Sequence, residues 1–198
     1  MSRCTAEEVS RLLPLVSEQR RRQALRYKHV FGQYCCLRSW MMVREGVNEL
    51  MSEGVSELMS EWQYNEYGKP SFIPSLFHSL TPYFSISHCK AGIAVAVADE
   101  PIGIDIETIR HADEDLIERT MNEQERLAIS DERLEERDRL FTRLWTQKEA
   151  VLKAIGTGIQ SFEQVQTILE NGDWRLETIE TEKYIYSIAY GKLHCLGA

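Results

Sequence analysis

The chain has 198 residues, 43% of them hydrophobic and 27% charged, with a formal net charge of −8. That balance excludes a disordered chain and gives enough apolar mass for one domain or two small ones. The acidic excess argues against a general nucleic-acid binder, and the lack of any run of eighteen apolar residues argues against a membrane-spanning helix.

Taken in chain order, Met1 to Arg11 lacks the basic start and apolar core of a secretory signal. Glu7 to Glu61 reads as helical, with Leu25, Val30-Phe31, Tyr34-Cys35, Leu37 and Met41-Met42 recurring at three- and four-residue steps. An octad beginning at Gly46 is repeated from Gly54, too short and too few for a solenoid. Trp62 to Tyr83 carries loop and short-strand signals around Gly68-Lys69-Pro70, Pro74 and Pro82. Phe84 to Ala98 reads as strands with a turn at Lys90-Ala91-Gly92, and Pro101 to Glu107 as a further strand. Thr120 to Ile155 is a long charged helical region, followed by β-like runs at Val165–Leu169, Trp174–Ile179 and Tyr184–Tyr190. The order helix, loop, strands occurs twice, which predicts an α+β fold of two related halves with a seam near residues 100 to 105. The five cysteines (Cys4, Cys35, Cys36, Cys89, Cys195) form no CxxC pair and read as reduced thiols in a cytoplasmic protein.

Four groups of residues carry chemistry. In Gly103-Ile104-Asp105-Ile106-Glu107, the strand period of two puts Asp105 and Glu107 on one face and sends the isoleucines into the core. Two adjacent carboxylates read either as a solvated strand end or as oxygen ligands for a hard cation such as Mg²⁺. In the run from Trp145 to Gly156, residues Trp145, Glu149 and Lys153 form one helical stripe. Glu149 and Lys153 read either as a surface i,i+4 ion pair or as a metal ligand and a phosphate-directed cation. In Phe84-Ser85-Ile86-Ser87-His88-Cys89, Ser85 and Ser87 share a face opposite Ile86 and His88. A serine nucleophile with a histidine base is one reading of Ser87-His88, but strand neighbours point apart and no nucleophile elbow is present, so exposed phosphate-binding groups suit the pattern better. Last, the basic segment Arg20, Arg21, Arg22, Arg26, Lys28, His29 and Arg38 offers either a solvated face or a site for a polyanion.

The joint order of Gly68-Lys69-Pro70, Phe84-x-Ile86-Ser87-His88, Gly103-Ile-Asp105-Ile-Glu107 and Trp145-x-x-Lys148-Glu149-Ala150-x-x-Lys153-x-x-Gly156-x-Gly158 resembles the Sfp-type 4′-phosphopantetheinyl transferases. The resemblance implies a pseudo-twofold pair of similar halves, each a small antiparallel sheet packed against a long helix. Residues 1–103 would supply the coenzyme A-binding elements and 104–198 the metal and catalytic elements. It further implies a Mg²⁺-dependent transfer (Mn²⁺ being also acceptable to oxygen ligands) of the phosphopantetheine arm of coenzyme A to a serine of an apo acyl, peptidyl or polyketide carrier protein, with 3′,5′-ADP released. On that reading Asp105, Glu107 and Glu149 coordinate the metal, Glu149 doubles as general base, and Lys153 neutralises charge at the pyrophosphate. Ser87 and His88 contact coenzyme A phosphates, Lys69 and Pro70 lie beside the adenine, and Lys28 is a basic contact, with Arg20 and Arg26 as looser candidates. A cytoplasmic monomer without nucleic acid or membrane partners is expected.

The sequence departs from the family pattern in three places. Residues 26–38 follow it loosely, Cys89 stands where many members have serine, and the chain ends soon after Tyr190, which bears on the cleft's outer edge. A serine hydrolase built on Ser87 and His88 and a catalytically silent carrier-binding scaffold are the competing readings.

Overall fold

The computed structural model describes residues 4–51, 62–73, 81–170, 172 and 174–191. The first helical stretch is three helices, α1 (Ala6–Leu12), α2 (Glu18–Leu25) and α3 (Val30–Met51), not one continuous run. Pro14 lies in a 3₁₀ turn, Leu13–Leu15, that ends α1, and Thr5 and Ser17 cap the N-termini of α1 and α2 with side-chain oxygens. The second octad, Cys195 and Pro74 lie outside the described residues.

Strands β1 (Trp62–Tyr64) and β2 (Pro70–Phe72) form a small antiparallel hairpin. Strands β3 (Tyr83–His88) and β4 (Ile93–Ala98) form a second, closed by the expected turn, in which Cys89 N–H donates to Gly92 O at 3.0 Å. Strand β5 (Ile102–Thr108) opens a three-stranded antiparallel sheet of order β5-β7-β6, completed by β6 (Trp174–Glu180) and β7 (Tyr184–Gly191).

The charged region predicted from Thr120 is likewise divided, into α4 (Glu114–Thr120), α5 (Glu123–Asp131) and α6 (Leu134–Ile155). Asn122 explains the first break: it accepts from Glu125 N–H while Glu125 Oε2 accepts from Asn122 N–H, a reciprocal cap that starts a new helix. The β-like run at Val165–Leu169 instead overlaps a short helix, α7 (Phe162–Thr167), started by the Ser161 cap and anchored by fully buried Val165. Its apolar residues are too few to separate strand from helix by period, and the cap decides.

The architecture is α+β. One 22-residue helix, α3, lies against β4, and another of 22 residues, α6, lies across β5 and β7. A core around Leu37, Trp40, Val43, Trp62, Phe72 and Phe84 packs α3 against β1, β2 and β3; Ala150, Val151 and Ala154 of α6 pack on Ala189 of β7, and Ile102 and Ile104 of β5 cluster with Ala96 of β4. Among the described residues no helix is long and apolar enough to cross a membrane.

Two close contacts fix the elements packed around β5. On β5, a Cβ at Gly103 would overlap the Ala150 carbonyl and lie 2.5 Å from Ala154 N, so the absence of a side chain lets α6 rest directly on the strand. Between β3 and β5 the seam is stitched by side chains: Ile104 N–H donates to Ser85 Oγ at 3.1 Å and Ile106 N–H to Ser87 Oγ at 3.3 Å. Two serines, two residues apart on one face of β3, thus satisfy buried amides of β5.

Candidate active site

The face of β5 that carries Gly103, Asp105 and Glu107 is the one α6 covers. Asp105 is therefore only 3% exposed, whereas alternation alone left open a solvated strand end. A carboxylate so placed needs partners. Its Oδ1 receives two: Lys153 Nζ at 2.6 Å and the Ser87 hydroxyl at 2.8 Å. Lys153 Nζ also donates to Ser87 Oγ at 3.0 Å, which closes a triangle of ammonium, hydroxyl and carboxylate. Lys153 thus reaches across to Asp105, and among the described ion pairs it is not joined to its helical neighbour Glu149.

Glu149 and Glu107 complete an acidic group around this triangle. Burial pushes the Glu149 carboxyl above its ordinary range; the charges of Asp105 and Glu107 push the same way, while Lys153 opposes them. Burial also raises Glu107, with Asp105 adding to the effect and Arg110 and Lys153 opposing it. The Asp105 charge thus bears on both glutamates, and burial together with like charge disfavours their ionised forms.

Among the described residues no three His, Cys, Asp or Glu side chains are drawn tightly enough to grip an ion as they stand. The chemistry nonetheless suits one. Asp105 Oδ2 is buried and has no hydrogen-bond partner among the described residues, an acceptor-only oxygen that a hard cation would satisfy, and the neighbouring donors are oxygens too.

A cavity of about 450 Å³ opens beside these groups. Its wall includes Lys69 and Pro70 from the first half and Glu149, Lys153 and Gly156 from α6, so residues predicted from separate motifs meet there. The Gly68-Lys69-Pro70 loop is held by Asn65, whose Oδ1 accepts from Tyr67 N–H and Lys69 N–H and whose Nδ2 donates to Gly156 O at 2.7 Å. Lys69 Nζ donates to Ala154 O at 2.6 Å in the last turn of α6. That turn ends on Gly156 at φ 85°, where the left-handed backbone favours glycine and a Cβ would also strike the Lys69 side chain. Burial lowers the Lys69 ammonium to about 8.

Other predicted residues stand elsewhere. Ser87 is buried and its hydroxyl is committed to Asp105, Lys153 and the Ile106 amide, whereas the sequence suggested an exposed group. His88 is exposed and meets Phe31 of α3 edge-on at 5.9 Å. The two side chains diverge along the strand, so the nucleophile–base pair of a serine hydrolase is not formed. Lys28 and Arg26 are exposed in the α2–α3 connection. Arg20 is a different case, 6% exposed, stacked over Trp62 at 3.8 Å and donating to Cys36 Sγ. It serves the core and is removed as a ligand contact. Trp145 continues the stripe it shares with Glu149 by stacking on Phe141, four residues earlier, in a cluster with residues of α4 and α5.

Lys148, next to Glu149, is a residue whose role the sequence did not disclose. It is fully buried, pairs with Glu125 at 2.9 Å and donates to Val165 O and Gln166 O. It ties α5 and α7 to α6. Its position in an apolar-rich helix face, one residue before an acid, was the available signal.

A buried acid paired with a partly exposed base, joining a strand to a helix beside a cleft, defines a site suited to handling a charged ligand. Residues 101–192 match the family model described as the 4′-phosphopantetheinyl transferase superfamily. The chain is 30% identical over 162 residues to 4′-phosphopantetheinyl transferase gsp of Aneurinibacillus migulanus, covering 78% of this chain and 65% of that protein. It is 28% identical over 153 residues to 4′-phosphopantetheinyl transferase Sfp of Bacillus subtilis strain 168, covering 77% and 66%. To 4′-phosphopantetheinyl transferase AcpT of Salmonella typhi it is 37% identical over 100 residues, covering 48% and 50%. The chain thus resembles the 4′-phosphopantetheinyl transferase superfamily over residues 101–192 and the transferases of that name over most of its own length. It spans slightly less than two thirds of the length of the Bacillus-type relatives it matches.

Proposed function

We propose that this protein transfers the 4′-phosphopantetheine arm of coenzyme A to a serine hydroxyl of an apo acyl, peptidyl or polyketide carrier protein. The observation that carries the reading is the Lys153–Asp105 pair beside a cleft lined by Glu149, Lys153, Lys69 and Pro70, with Glu107 near enough to share the charge of Asp105 and Lys153. The resemblance to the 4′-phosphopantetheinyl transferase superfamily supports the same reaction class. Residues 1–103 act as the coenzyme A half and 104–198 as the metal and catalytic half of a cytoplasmic monomer.

In this reading Asp105, Glu107 and Glu149 hold Mg²⁺ or Mn²⁺, with Asp105 Oδ2 as the oxygen in greatest need of a cation. When bound, the ion supplies charge neutralisation at the pyrophosphate. Lys69 and Pro70 flank the adenine, and exposed His88 and Lys28 take phosphate charge. Lys153 holds Asp105 through its 2.6 Å contact and brings a second positive charge to the pyrophosphate side of the cleft. The carrier serine oxygen forms a bond to the β-phosphorus of coenzyme A while the bond from that phosphorus to the bridging oxygen breaks. The hydroxyl proton passes to a Glu149 carboxylate oxygen, and 3′,5′-ADP leaves. Partly buried Glu149, whose proton affinity is raised, is the group best suited to accept that proton. Positioning and charge account for most of the rate.

The test is intact-mass spectrometry of apo acyl, peptidyl and polyketide carrier proteins incubated with this protein, coenzyme A and Mg²⁺. A gain of one phosphopantetheine on any carrier, abolished by chelator and by Asp105→Ala, is expected. No gain on any carrier would overturn the reading in favour of a silent carrier-binding scaffold.

A further inference from the structure

The Ser87 hydroxyl has one proton and two lone pairs, and all three are used: the proton goes to Asp105 Oδ1, and the lone pairs accept from Lys153 Nζ and Ile106 N–H. Its neighbour on the same face, Ser85, makes the equivalent bond to Ile104 N–H and touches neither Asp105 nor Lys153 among the hydrogen bonds described. The two serines therefore share one task, stitching β3 to β5, but only Ser87 has a second. It fixes which carboxylate oxygen of Asp105 is occupied. With Oδ1 held by the hydroxyl and the ammonium, Oδ2 is left buried and without a partner among the described residues.

We propose that Ser87 is a positioning residue for the metal: it locks the Asp105 carboxylate so that Oδ2 is kept free for the ion. The inference rests on the proposed metal role of Asp105. It differs from the expectation that the Ser87 side chain contacts a coenzyme A phosphate, because a hydroxyl with every valence engaged by protein has none left for ligand. Residues one step behind the ligands hold ligand orientation, and their loss typically weakens metal affinity by about 10- to 100-fold.

Calorimetric titration of Mn²⁺ into the protein without coenzyme A tests this, with thermal unfolding recorded for each variant. Ser87→Ala is expected to weaken Mn²⁺ binding by at least about tenfold. Ser87→Thr, which keeps the hydroxyl, is expected to restore most of it. Ser85→Ala, which removes the matching seam bond, is expected to leave Mn²⁺ affinity unchanged, so that a general loosening of the seam is separated from the positioning of Asp105. Should Ser87→Ala not fold, Ser87→Cys carries the same test, since it keeps the volume but offers a poor donor. Wild-type affinity in Ser87→Ala, or an equal loss in Ser85→Ala, would overturn the inference while leaving the metal reading standing. A wild-type protein that binds no Mn²⁺ would remove both.

Discussion

Lys153 Nζ lies 2.6 Å from Asp105 Oδ1, joining the last turn of α6 to the middle of β5 across 48 residues of sequence. The carboxylate side is almost wholly buried and the lysine side chain is 30% exposed, so the pair is neither a surface bridge nor a fully desolvated one. Its geometry makes Lys153 a fixed part of the site instead of a mobile surface cation.

Removal of that ammonium should therefore affect both chemistry and folding. Lys153→Gln is expected to reduce carrier modification by about 10²-fold, the scale of losing one preorganised electrostatic group. In metal-free buffer it should also lower stability, by about 2 kcal/mol after allowance for the lysine's exposure, because Asp105 loses its countercharge. Mass-spectrometric time courses and urea unfolding in chelator measure the two effects.

Gly103 sets the distance at which α6 lies. A methyl group there meets backbone atoms of Ala150 and Ala154, which cannot rotate away as a side chain would. Gly103→Ala is expected to destabilise the protein by about 3 kcal/mol, the upper part of the usual range for overpacking. Thermal and denaturant unfolding should show it, with Mn²⁺ affinity reduced in parallel as Lys153 is lifted from Asp105.

Lys148 offers a test of a buried ion pair beside the site. Burial lowers its proton affinity, and its hydrogen bond and charge pairing with Glu125 oppose that effect. Lys148→Met should cost about 3–5 kcal/mol, since it strands the Glu125 carboxylate in a poorly solvated place. Adding Glu125→Gln, which keeps an acceptor for the Asn122 cap, should recover a large part of the loss. Equilibrium unfolding of the two single variants and the pair forms the cycle that checks it.

Lys69 gives a pH dependence with a defined sign. Burial holds its ammonium at about 8 against an ordinary value of 10.5. Between those values the unfolded chain binds more protons than the folded one, so stability rises with pH through the window. Below pH 8 the folded state carries the full penalty of the buried charge, partly offset by the bond to Ala154 O. Lys69→Met should therefore be relatively more favourable at pH 7.5 than at pH 10. Unfolding of both proteins by urea at those two pH values measures the difference; an equal difference at both would contradict it.

The residues of the candidate site were legible in the sequence to the extent that their roles depend on local backbone geometry. A period of two placed Asp105 and Glu107 on one face of β5, and a period near four placed Glu149 and Lys153 on one face of α6. The order of the motifs was sufficient to suggest the family. What those periods do not carry is the identity of the covering element or of the partner. Asp105 is buried because Gly103 admits α6, and Lys153 takes Asp105 in preference to Glu149. Ser87 belongs to Asp105, 18 residues away, and Lys153 reaches it from 66 residues away. The breaks at Asn122 and Ser161 depended on caps weighed against an otherwise plausible apolar pattern. Sequence by itself determined which faces carry acid, base and apolar groups, because those follow from bond geometry within a few residues. Tertiary structure alone decided which charge meets which and how dry the meeting place is, because desolvation and pairing arise only when distant elements pack.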